Sequence, residues 1–398
     1  MDMIKFFSYK LTVTYIIILF FIHILLCTSN DLNNKFSHES DQLENFLDDL
    51  NRFSNKKYIW YSTTNGINSR TLKKALKIFE QNTCMKFKYI KRIKKGNFGL
   101  HFLGYMAVKY PNNQPNRNKV KQDVIISNSS SKNLGYILQQ TVLAMGLIPQ
   151  HQRPDRDNYI KFIEMDSDYT IPLVDKYLNK YSYSEVNLFD TSYDFGSITQ
   201  YSSHYFDKIS SNIMVPKNIF YNKMIGQQYG LSFNDIKIMN LAICSQKCEN
   251  EKKISCANSG YQDPRNCLRC KCPNGFSGIR CTELTRTGYN CHQTKLKATN
   301  EVKILHKRGY GKCYYQITSN VDTKIVIYVT QVQTMPRKIC YEKRGLEIKY
   351  RNDMGATGLC LCGNYSNFSF LSEGNRVMIN YNGYRNNYFT IKYVVGDK

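Results

Sequence analysis

Residues 139–159 read QQTVLAMGLIPQHQRPDRDNY, and this stretch is the most informative part of the sequence. We predict a helix from about Lys132 to Met145, because the segment is rich in apolar residues and leads into Gly146. Glycine readily takes the left-handed conformation at which many helices stop. The stretch then becomes polar and ends in the charged sequence of residues 155–159. The stretch therefore predicts a helix that ends at a glycine turn and is followed by a polar segment.

The sequence before this stretch mixes helical and strand patterns. Ser69 is the expected cap of a helix whose apolar residues recur at helical spacing, namely Leu72, Ala75, Leu76 and Phe79. Residues 87–90 alternate and residues 124–126 form an apolar run, and both patterns are typical of strands. Helices and strands mixed within one unit predict an α+β domain, which we place at residues 56–245.

The central stretch resembles the zinc-binding sequence of the astacin family, which begins HExxHxxGxxH and continues into a tail similar to DRDxY. The tail is present at residues 155–159, and Gly146 stands at the glycine of the pattern. Residues 193–201, YDFGSITQY, resemble the methionine-turn segment of the family. Further matches to the closing helix region follow at residues 215–217, 225–228 and 230–236. The resemblance implies an astacin-like, metzincin-type α+β fold.

The resemblance also implies a zinc endopeptidase site, and this sequence departs from it at every chemical position. In the family, three histidines hold zinc and a glutamate is the general base on the metal-bound water. The ligand positions carry Gln139, Leu143 and Pro149 here, and the base position carries Gln140. Leucine and proline side chains have no lone pair, and an amide cannot take up a proton. We therefore expect no metal ligand, no catalytic residue and no cofactor, although zinc is the cofactor of active relatives.

Other positions agree with that expectation. The seven histidines stand at positions 23, 38, 101, 151, 204, 292 and 306, and no two are close enough to form a ligand pair on one helix. Thr199 replaces the methionine of the turn, and Gln150 replaces the glutamate that anchors the mature N-terminus in the family. Tyr201, whose hydroxyl the family uses at the metal, is retained, and we expect its side chain to pack. The helix face of Gln139, Gln140 and Leu143 is expected to line a cleft, with Leu143 turned inward to fill the space left by zinc as the alternative for that residue.

The N-terminus predicts export. Lys5 and Lys10 precede an apolar run over residues 11–26, which is too short to span a bilayer easily, and small residues follow it. Residues 1–29 are therefore interpreted as a signal peptide, with a retained anchor as the alternative, and residues 30–55 as a short pro-segment or linker. We expect a secreted, extracellular protein with no membrane partner after cleavage and no nucleic-acid partner.

Fourteen cysteines fit an oxidising compartment. Six lie in residues 246–285, where the end of the segment resembles an EGF-like module. Residues 286–398 alternate in the manner of strands and resemble an all-β CUB-like sandwich. By these resemblances we expect the bridges Cys84–Cys244, Cys248–Cys267, Cys256–Cys270, Cys272–Cys281, Cys291–Cys313 and Cys340 with Cys360 or Cys362. Glycosylation sequons stand at Asn128, Asn364 and Asn367.

Three functions remain compatible with the sequence. The first is a secreted pseudoprotease that binds extracellular proteins or acidic glycans without cutting them. The second is an active secreted zinc endopeptidase, as the family implies. The third is a basic adhesin for polyanions, because the net charge of +24 creates a field that attracts them. Codon bias toward Lys, Asn, Ile and Tyr is an equally simple source of that charge. The bound zinc content distinguishes the first two functions, and the salt dependence of binding tests the third.

Overall fold

The structure is a computed structural model, and it describes residues 47–54, 56–94, 98–106, 113, 121–163, 178–203 and 213–396. The chain divides into two compact units. The first comprises Met1–Asp48 with Ser182–Asn187, and the second comprises Asp49–Tyr181 with Leu188–Lys398. In the first unit, the backbone N–H of Ser182 donates to Glu185 Oε2 at 2.6 Å. All other contacts given below lie within the second unit. The signal peptide, most of the 30–55 segment and His204 lie outside the described residues.

An α+β domain comes first in the second unit. Its strands are β1 (Ile59–Thr63), β2 (Phe87–Tyr89), β3 (Gly99–Tyr105), β4 (Lys121–Ser127), β5 (Ile160–Phe162) and β6 (Met214–Pro216). Its helices are α1 (Ser69–Asn82), α2 (Leu134–Ala144) and α3 (Phe233–Ile243). Strands β1–β4 form a sheet in the order β2-β1-β3-β4, and every neighbouring pair runs parallel. Strands β5 and β6 pair antiparallel.

Helix α1 has its N-cap one residue before the predicted position. Ser69 is the first helical residue, and the cap is Asn68, whose side-chain oxygen accepts a hydrogen bond from the backbone N–H of Thr71 at 2.9 Å. The expectation of a Ser69 cap is wrong because the extended Asn68 backbone places its longer side chain over the first turn. The four predicted apolar residues, Leu72, Ala75, Leu76 and Phe79, are buried as expected.

Helix α2 is buried along most of its length. It begins after Asn133, whose side chain accepts from the backbone N–H of Tyr136, so it starts two residues later than expected. It ends at Ala144 with Met145 as its C-cap, and Gly146 follows with φ +105°. This left-handed geometry explains why glycine stands there. The predicted helix and its glycine stop are therefore confirmed, and the stop directs the chain into the turn that carries Pro149.

Helix α3 closes the domain. Ser232 and Asp235 form a reciprocal capping box at its start. Its last residue is followed by Cys244, which is bonded to Cys84 near the end of α1 with a Cα–Cα distance of 5.8 Å. This bridge joins two positions that are 160 residues apart in the sequence. The first and last helices of the domain are therefore held together covalently.

A cysteine-rich module follows the α+β domain. Its short strands are β7 (Tyr261–Asp263), β8 (Asn266–Lys271), β9 (Phe276–Ser277) and β10 (Glu283–Leu284). Its disulfides are Cys248–Cys267, Cys256–Cys270 and Cys272–Cys281. A small buried cluster around Phe276 and Met378 joins this module to the domain that follows. The cross-links supply the stability that so small a core cannot.

The C-terminal sandwich is all β. Its strands are β11 (Lys295–Lys297), β12 (Lys303–Arg308), β13 (Gly311–Thr318), β14 (Lys324–Gln333), β15 (Gly345–Lys349), β16 (Leu359–Leu361), β17 (Asn364–Leu371), β18 (Arg376–Gly383) and β19 (Tyr388–Gly396). One sheet has the order β11-β13-β18-β15-β16 and the other β12-β19-β14-β17. The bridges are Cys291–Cys313 and Cys340–Cys362, which leaves Cys360 as a buried thiol.

The sandwich and the α+β domain share a hydrophobic core. Phe220 stacks on Phe368 with ring centroids 3.9 Å apart, and the hydroxyl of Tyr221 donates to that of Tyr350 at 3.1 Å. Arg351 donates through Nη1 to the backbone carbonyl of Tyr193 at 2.6 Å. The predicted fold class is confirmed: an α+β domain, a small disulfide-rich module and an all-β sandwich. The sandwich supports the segment that resembles the methionine turn.

Candidate functional site

Helix α2 carries three of the four positions at which the family resemblance places zinc chemistry. Gln139 is 2% exposed, and its Nε2 donates to the backbone carbonyl of Ile198 at 2.7 Å. Gln140 is fully buried, and its Oε1 accepts from Asn113 Nδ2 at 2.7 Å. Gln140 Nε2 lies 3.4 Å from Gln139 Oε1 and donates to it. The two amides therefore form a short buried hydrogen-bonded chain.

Asn113 extends this chain to the sheet. Its Oδ1 accepts from the backbone N–H of Ile125 at 2.6 Å, and its Nδ2 also donates to the Ile125 carbonyl at 3.0 Å. Ile125 belongs to β4, so one asparagine side chain connects the sheet to Gln140 on α2. Sequence reasoning missed Asn113, because no local pattern marks an asparagine that makes long-range contacts.

Leu143 lies one helical turn after Gln139 and faces the core. It is 8% exposed and belongs to the same buried cluster as Tyr201, Met214 and Tyr193. The alternative of an inward Leu143 therefore agrees with its burial, and the expectation that this residue lines a cleft is wrong. Burial of an apolar side chain lowers the free energy of the folded state. The core that α2 shares with the methionine-turn-like segment accommodates Leu143.

Pro149 begins a short 3₁₀ turn over Gln150–Gln152. Its backbone carbonyl accepts from the N–H of Gln152 at 3.0 Å. Gln150 is buried, and its Oε1 accepts from the backbone N–H of Asp194 at 2.9 Å. This turn therefore contacts the segment that begins at Asp194, more than 40 residues later in the chain. The contact is made by Gln150, which stands at the position of the family's N-terminal anchor.

Residues 194–201 form a buried, tightly bonded turn. Asp235 on α3 accepts from Ser197 Oγ at 2.5 Å and from the backbone N–H of Ile198 at 2.9 Å. Thr199 Oγ1 lies 3.0 Å from Ser197 Oγ in a hydrogen bond. Burial, with the charge of Asp194 nearby, raises the pKa of the Asp235 carboxyl to about 6. The turn is therefore fixed by α3 from one side and by Gln139 from another.

Tyr201 is retained at its family position and is buried. It is 3% exposed, and its ring lies against that of His151 with centroids 4.5 Å apart. Tyr201 also belongs to the buried cluster that contains Leu143 and Tyr193. His151 is also buried, at 1% exposure, two residues beyond Pro149.

The charged tail of the motif has a structural role. Arg153 binds Asp155 with two hydrogen bonds of 2.8 Å, one from Nε and one from Nη2. Arg156 donates through Nη1 to the backbone carbonyl of His151 at 2.7 Å. Tyr159 stacks on Tyr193 with ring centroids 4.8 Å apart. These contacts hold the turn after α2 in place.

The four side chains do not fit a zinc ion. Leu143 and Pro149 offer no lone pair, and Gln139 directs its Nε2 to the Ile198 carbonyl. Zinc sites need three or four nitrogen, sulfur or carboxylate donors that converge. Within the ranges that the structure describes, no three His, Cys, Asp or Glu side chains are grouped so that they could hold a metal ion.

The predicted glycosylation sequons differ in exposure. Asn364 and Asn367 are exposed on β17. Asn128 is half-buried, and its side chain fills the space beside two glycines: a Cβ at Gly66 or Gly104 would lie 2.4 or 2.5 Å from its Oδ1. In the described part of the chain, no helix has the length and apolar character needed to cross a membrane.

Comparisons with known proteins agree with this architecture. Residues 50–244 match the sequence profile of Astacin, a peptidase family. Leu50 and Phe53, at the start of the match, are buried. The chain is 27% identical over 339 residues to Zinc metalloproteinase nas-34 of Caenorhabditis elegans, covering 84% of this chain and 54% of that protein. It is 30% identical over 304 residues to Zinc metalloproteinase nas-36 of Brugia malayi, covering 73% and 49%.

Two solved structures also align. One is High choriolytic enzyme 1, a hatching enzyme zinc-protease from Oryzias latipes, with 23% identity, a TM-score of 0.39 and coverage of 46% of this chain and 88% of that one. The other is the MASP-1 CUB2 domain bound to Ca2+, with 12% identity, a TM-score of 0.21 and coverage of 25% and 96%. The chain spans about half the length of the curated relatives named above. The profile match over residues 50–244 and the order of the motifs lead to one conclusion: this region is a domain of the astacin family of peptidases.

Proposed function

We propose that the protein is an extracellular astacin-type pseudoprotease, which binds a partner and does not cleave peptide bonds. The observation that carries the proposal is the hydrogen bond from Gln139 Nε2 to the Ile198 carbonyl. At the position where the family resemblance places the first zinc ligand, the side chain is a hydrogen-bond donor committed to the backbone. The residue one turn later, Leu143, belongs to the core.

The base position supports the same proposal. A general base on a metal-bound water must accept a proton, and the amide of Gln140 has no such capacity near neutral pH. Its Oε1 is also engaged, because it accepts from Asn113. Both halves of the family's chemistry, the Lewis acid and the base, therefore lack a suitable side chain at these positions.

The extracellular part of the proposal rests on the disulfides. Six bridges connect the described residues, and such a density is typical of oxidising compartments. The bridges occur in the α+β domain, the cysteine-rich module and the sandwich alike. A framework cross-linked in every module suits a stable binding surface as well as it suits an enzyme.

A metal assay on the purified protein, run beside a peptidase assay, tests the proposal. We expect zinc far below one ion per chain by elemental analysis, and no hydrolysis of gelatin before or after incubation with zinc. An active zinc endopeptidase, the alternative that the family implies, requires about one zinc per chain and cleavage that a chelator abolishes. That pair of results would overturn the proposal.

A further inference from the structure

Positive charge is concentrated in one part of the sequence. Residues 56–122 contain sixteen Lys and Arg side chains and a single carboxylate, Glu80. The remaining residues contain thirty-nine Lys and Arg against thirty Asp and Glu. A composition bias that acts evenly along the chain does not produce such a difference. The imbalance belongs to the region of β1, α1, β2 and β3.

The structure places a group of these cations along one sheet edge. Strand β2 is the outermost strand on its side of the sheet. We call the cations on it and beside it the basic edge: Lys56, Lys57, Lys86, Lys88, Lys91, Arg92 and Lys94. All seven side chains are exposed. Lysines on an edge strand also discourage pairing with another strand, but that purpose needs only one or two of them.

Aromatic rings hold the centre of the basic edge in place. Lys88 Nζ lies 5.4 Å from the ring centroid of Tyr58 and 5.3 Å from that of Trp60. Lys57 Nζ lies 5.8 Å from the same Tyr58 ring. Lys88 and Trp60 are register partners in the parallel pair, so the ammonium and the rings share one face of the sheet. Cation–π contacts of this kind order a lysine without neutralising its charge.

In the described ranges, the cations of the basic edge have no carboxylate partner. Among the residues that the structure describes, no carboxylate oxygen lies within 4.0 Å of a cation of this group, although Lys77 pairs with Glu80 and Lys121 with Asp123 nearby. Like charges brought together without counter-ions repel one another and cost stability. One exposed cation on β2, Lys88, and six exposed cations in the segments that flank β1 and β2 are therefore suited to an external polyanion.

We propose that the basic edge binds a sulfated polysaccharide. An extended edge places alternate side chains, such as Lys86 and Lys88, about 7 Å apart on one face, which matches a linear polymer with repeated anionic groups. The exposed ring of Tyr58 and the half-buried ring of Trp60 add apolar surface beside the cations, which suits sugar rings. Nucleic acid, the other abundant linear polyanion, is disfavoured by the extracellular setting that the disulfides indicate. The inference rests on the proposed function, because it names the partner class of the binding protein.

Titration of the purified protein with heparin, as the sulfated probe, tests this inference. The variant Lys57→Gln/Lys86→Gln/Lys88→Gln removes three cations of the basic edge. The matched control Lys295→Gln/Lys297→Gln/Lys392→Gln removes three exposed cations of the sandwich. In about 0.15 M NaCl, we expect about tenfold weaker heparin binding for the first variant and less than about twofold for the control. Unchanged melting temperatures of both variants verify the fold.

Three outcomes would overturn the inference. The first is no heparin binding by the wild-type protein, and the second is an equal loss of affinity in both variants. The third is equally tight binding of a single-stranded DNA of matched charge that the Lys57→Gln/Lys86→Gln/Lys88→Gln variant weakens by the same factor. Zinc content separates this inference from the proposed function. A zinc-loaded, proteolytic protein that still binds heparin through the basic edge contradicts the pseudoprotease alone. A protein that contains no zinc and does not bind heparin contradicts the proposed polysaccharide site and leaves the pseudoprotease proposal standing.

Discussion

Gln139 donates a hydrogen bond from Nε2 to the backbone carbonyl of Ile198 at 2.7 Å, across 59 positions of sequence. The bond connects helix α2 to the buried turn that resembles the family's methionine turn. In active relatives, the family resemblance implies that a zinc ligand stands at this helix position. Here the same position joins two parts of the scaffold through an amide, so its contribution is to stability.

Replacement of Gln139 by leucine should destabilise the protein by roughly 1–3 kcal/mol, because the Ile198 carbonyl is left buried without this donor. Gln81→Leu, at an exposed position of α1, is the matched control, since leucine and glutamine have similar helix propensities. The free energy of unfolding from denaturant titration is the measurement. Similar values for both variants would mean that the hydrogen bond adds nothing to stability.

The stability of the protein should be more sensitive to a polar replacement of Leu143 than to an apolar replacement of similar volume. Leu143→His is expected to cost about 2–5 kcal/mol, because it empties a core site and buries an imidazole. Leu143→Met, which conserves volume, should cost less than about 1.5 kcal/mol. Thermal and denaturant unfolding measure the free energies of unfolding of the two variants. A small effect of histidine would place Leu143 at a solvent-filled cleft.

The quadruple variant Gln139→His/Gln140→Glu/Leu143→His/Pro149→His extends this test to the metal. We expect the variant to be less stable than the wild type without zinc and to regain stability when zinc is added, because a ligand that binds only the folded state stabilises it. The wild type should show no such response. A folded variant that remains indifferent to zinc would show that these four positions do not correspond to the ligands and base of the family.

Asp235 should make stability depend on pH. Burial raises the pKa of its carboxyl from 3.8 to about 6, so the folded chain binds this proton more tightly than the unfolded chain. Its stabilising contribution is therefore complete below about pH 4 and is lost as the pH rises through about 6. We expect the stability of the wild type relative to Asp235→Asn to fall by roughly 2–3 kcal/mol over that range.

Unfolding free energies at several pH values measure this effect. Asp322→Asn removes an exposed carboxylate and is the matched control. The difference between the wild type and Asp235→Asn should change with pH in the stated direction, whatever its absolute size. A difference that grows from pH 4 to pH 6 would contradict the elevated pKa of Asp235.

The Cys84–Cys244 bridge should be the most stabilising of the disulfides. It closes a loop of 160 residues, and in the loop-entropy picture its removal by Cys84→Ala/Cys244→Ala costs roughly 4–5 kcal/mol. Removal of Cys272–Cys281, with a separation of nine residues, should cost roughly 2–3 kcal/mol. Melting curves compare the two variants, and the reverse order would indicate that local strain outweighs loop length.

Glycosylation should follow exposure and not the sequon alone. We expect glycans at Asn364 or Asn367, which are exposed, and none at Asn128, whose side chain is packed beside Gly66 and Gly104. Mass spectrometry of protein from a secretory host, before and after enzymatic deglycosylation, measures occupancy. Asn364→Gln/Asn367→Gln should remove the glycan mass and Asn128→Gln should not. A glycan on Asn128 would mean that this side chain is modified before it packs beside Gly66 and Gly104.

The sequence by itself determined the order of the motifs, the helix that stops at Gly146 and the residue types at the four chemical positions. These are local properties: a glycine stop follows from backbone freedom, and the inability of leucine to ligate zinc follows from its composition. The apolar spacing of α1 was likewise sufficient to identify its buried face. Such features can be predicted because the groups involved are close together in the chain.

The contacts that the substituted residues make become visible in the folded chain. Gln139 meets a carbonyl that is 59 positions away, Gln140 meets Asn113, and Leu143 joins a core that the sandwich completes. The same holds for Cys340, which pairs with Cys362 and leaves Cys360 buried as a thiol. The direction of an amide or the choice between two nearby sulfurs depends on groups that folding brings from distant segments. The free energy of their burial is a property of that assembly and of no local stretch of sequence.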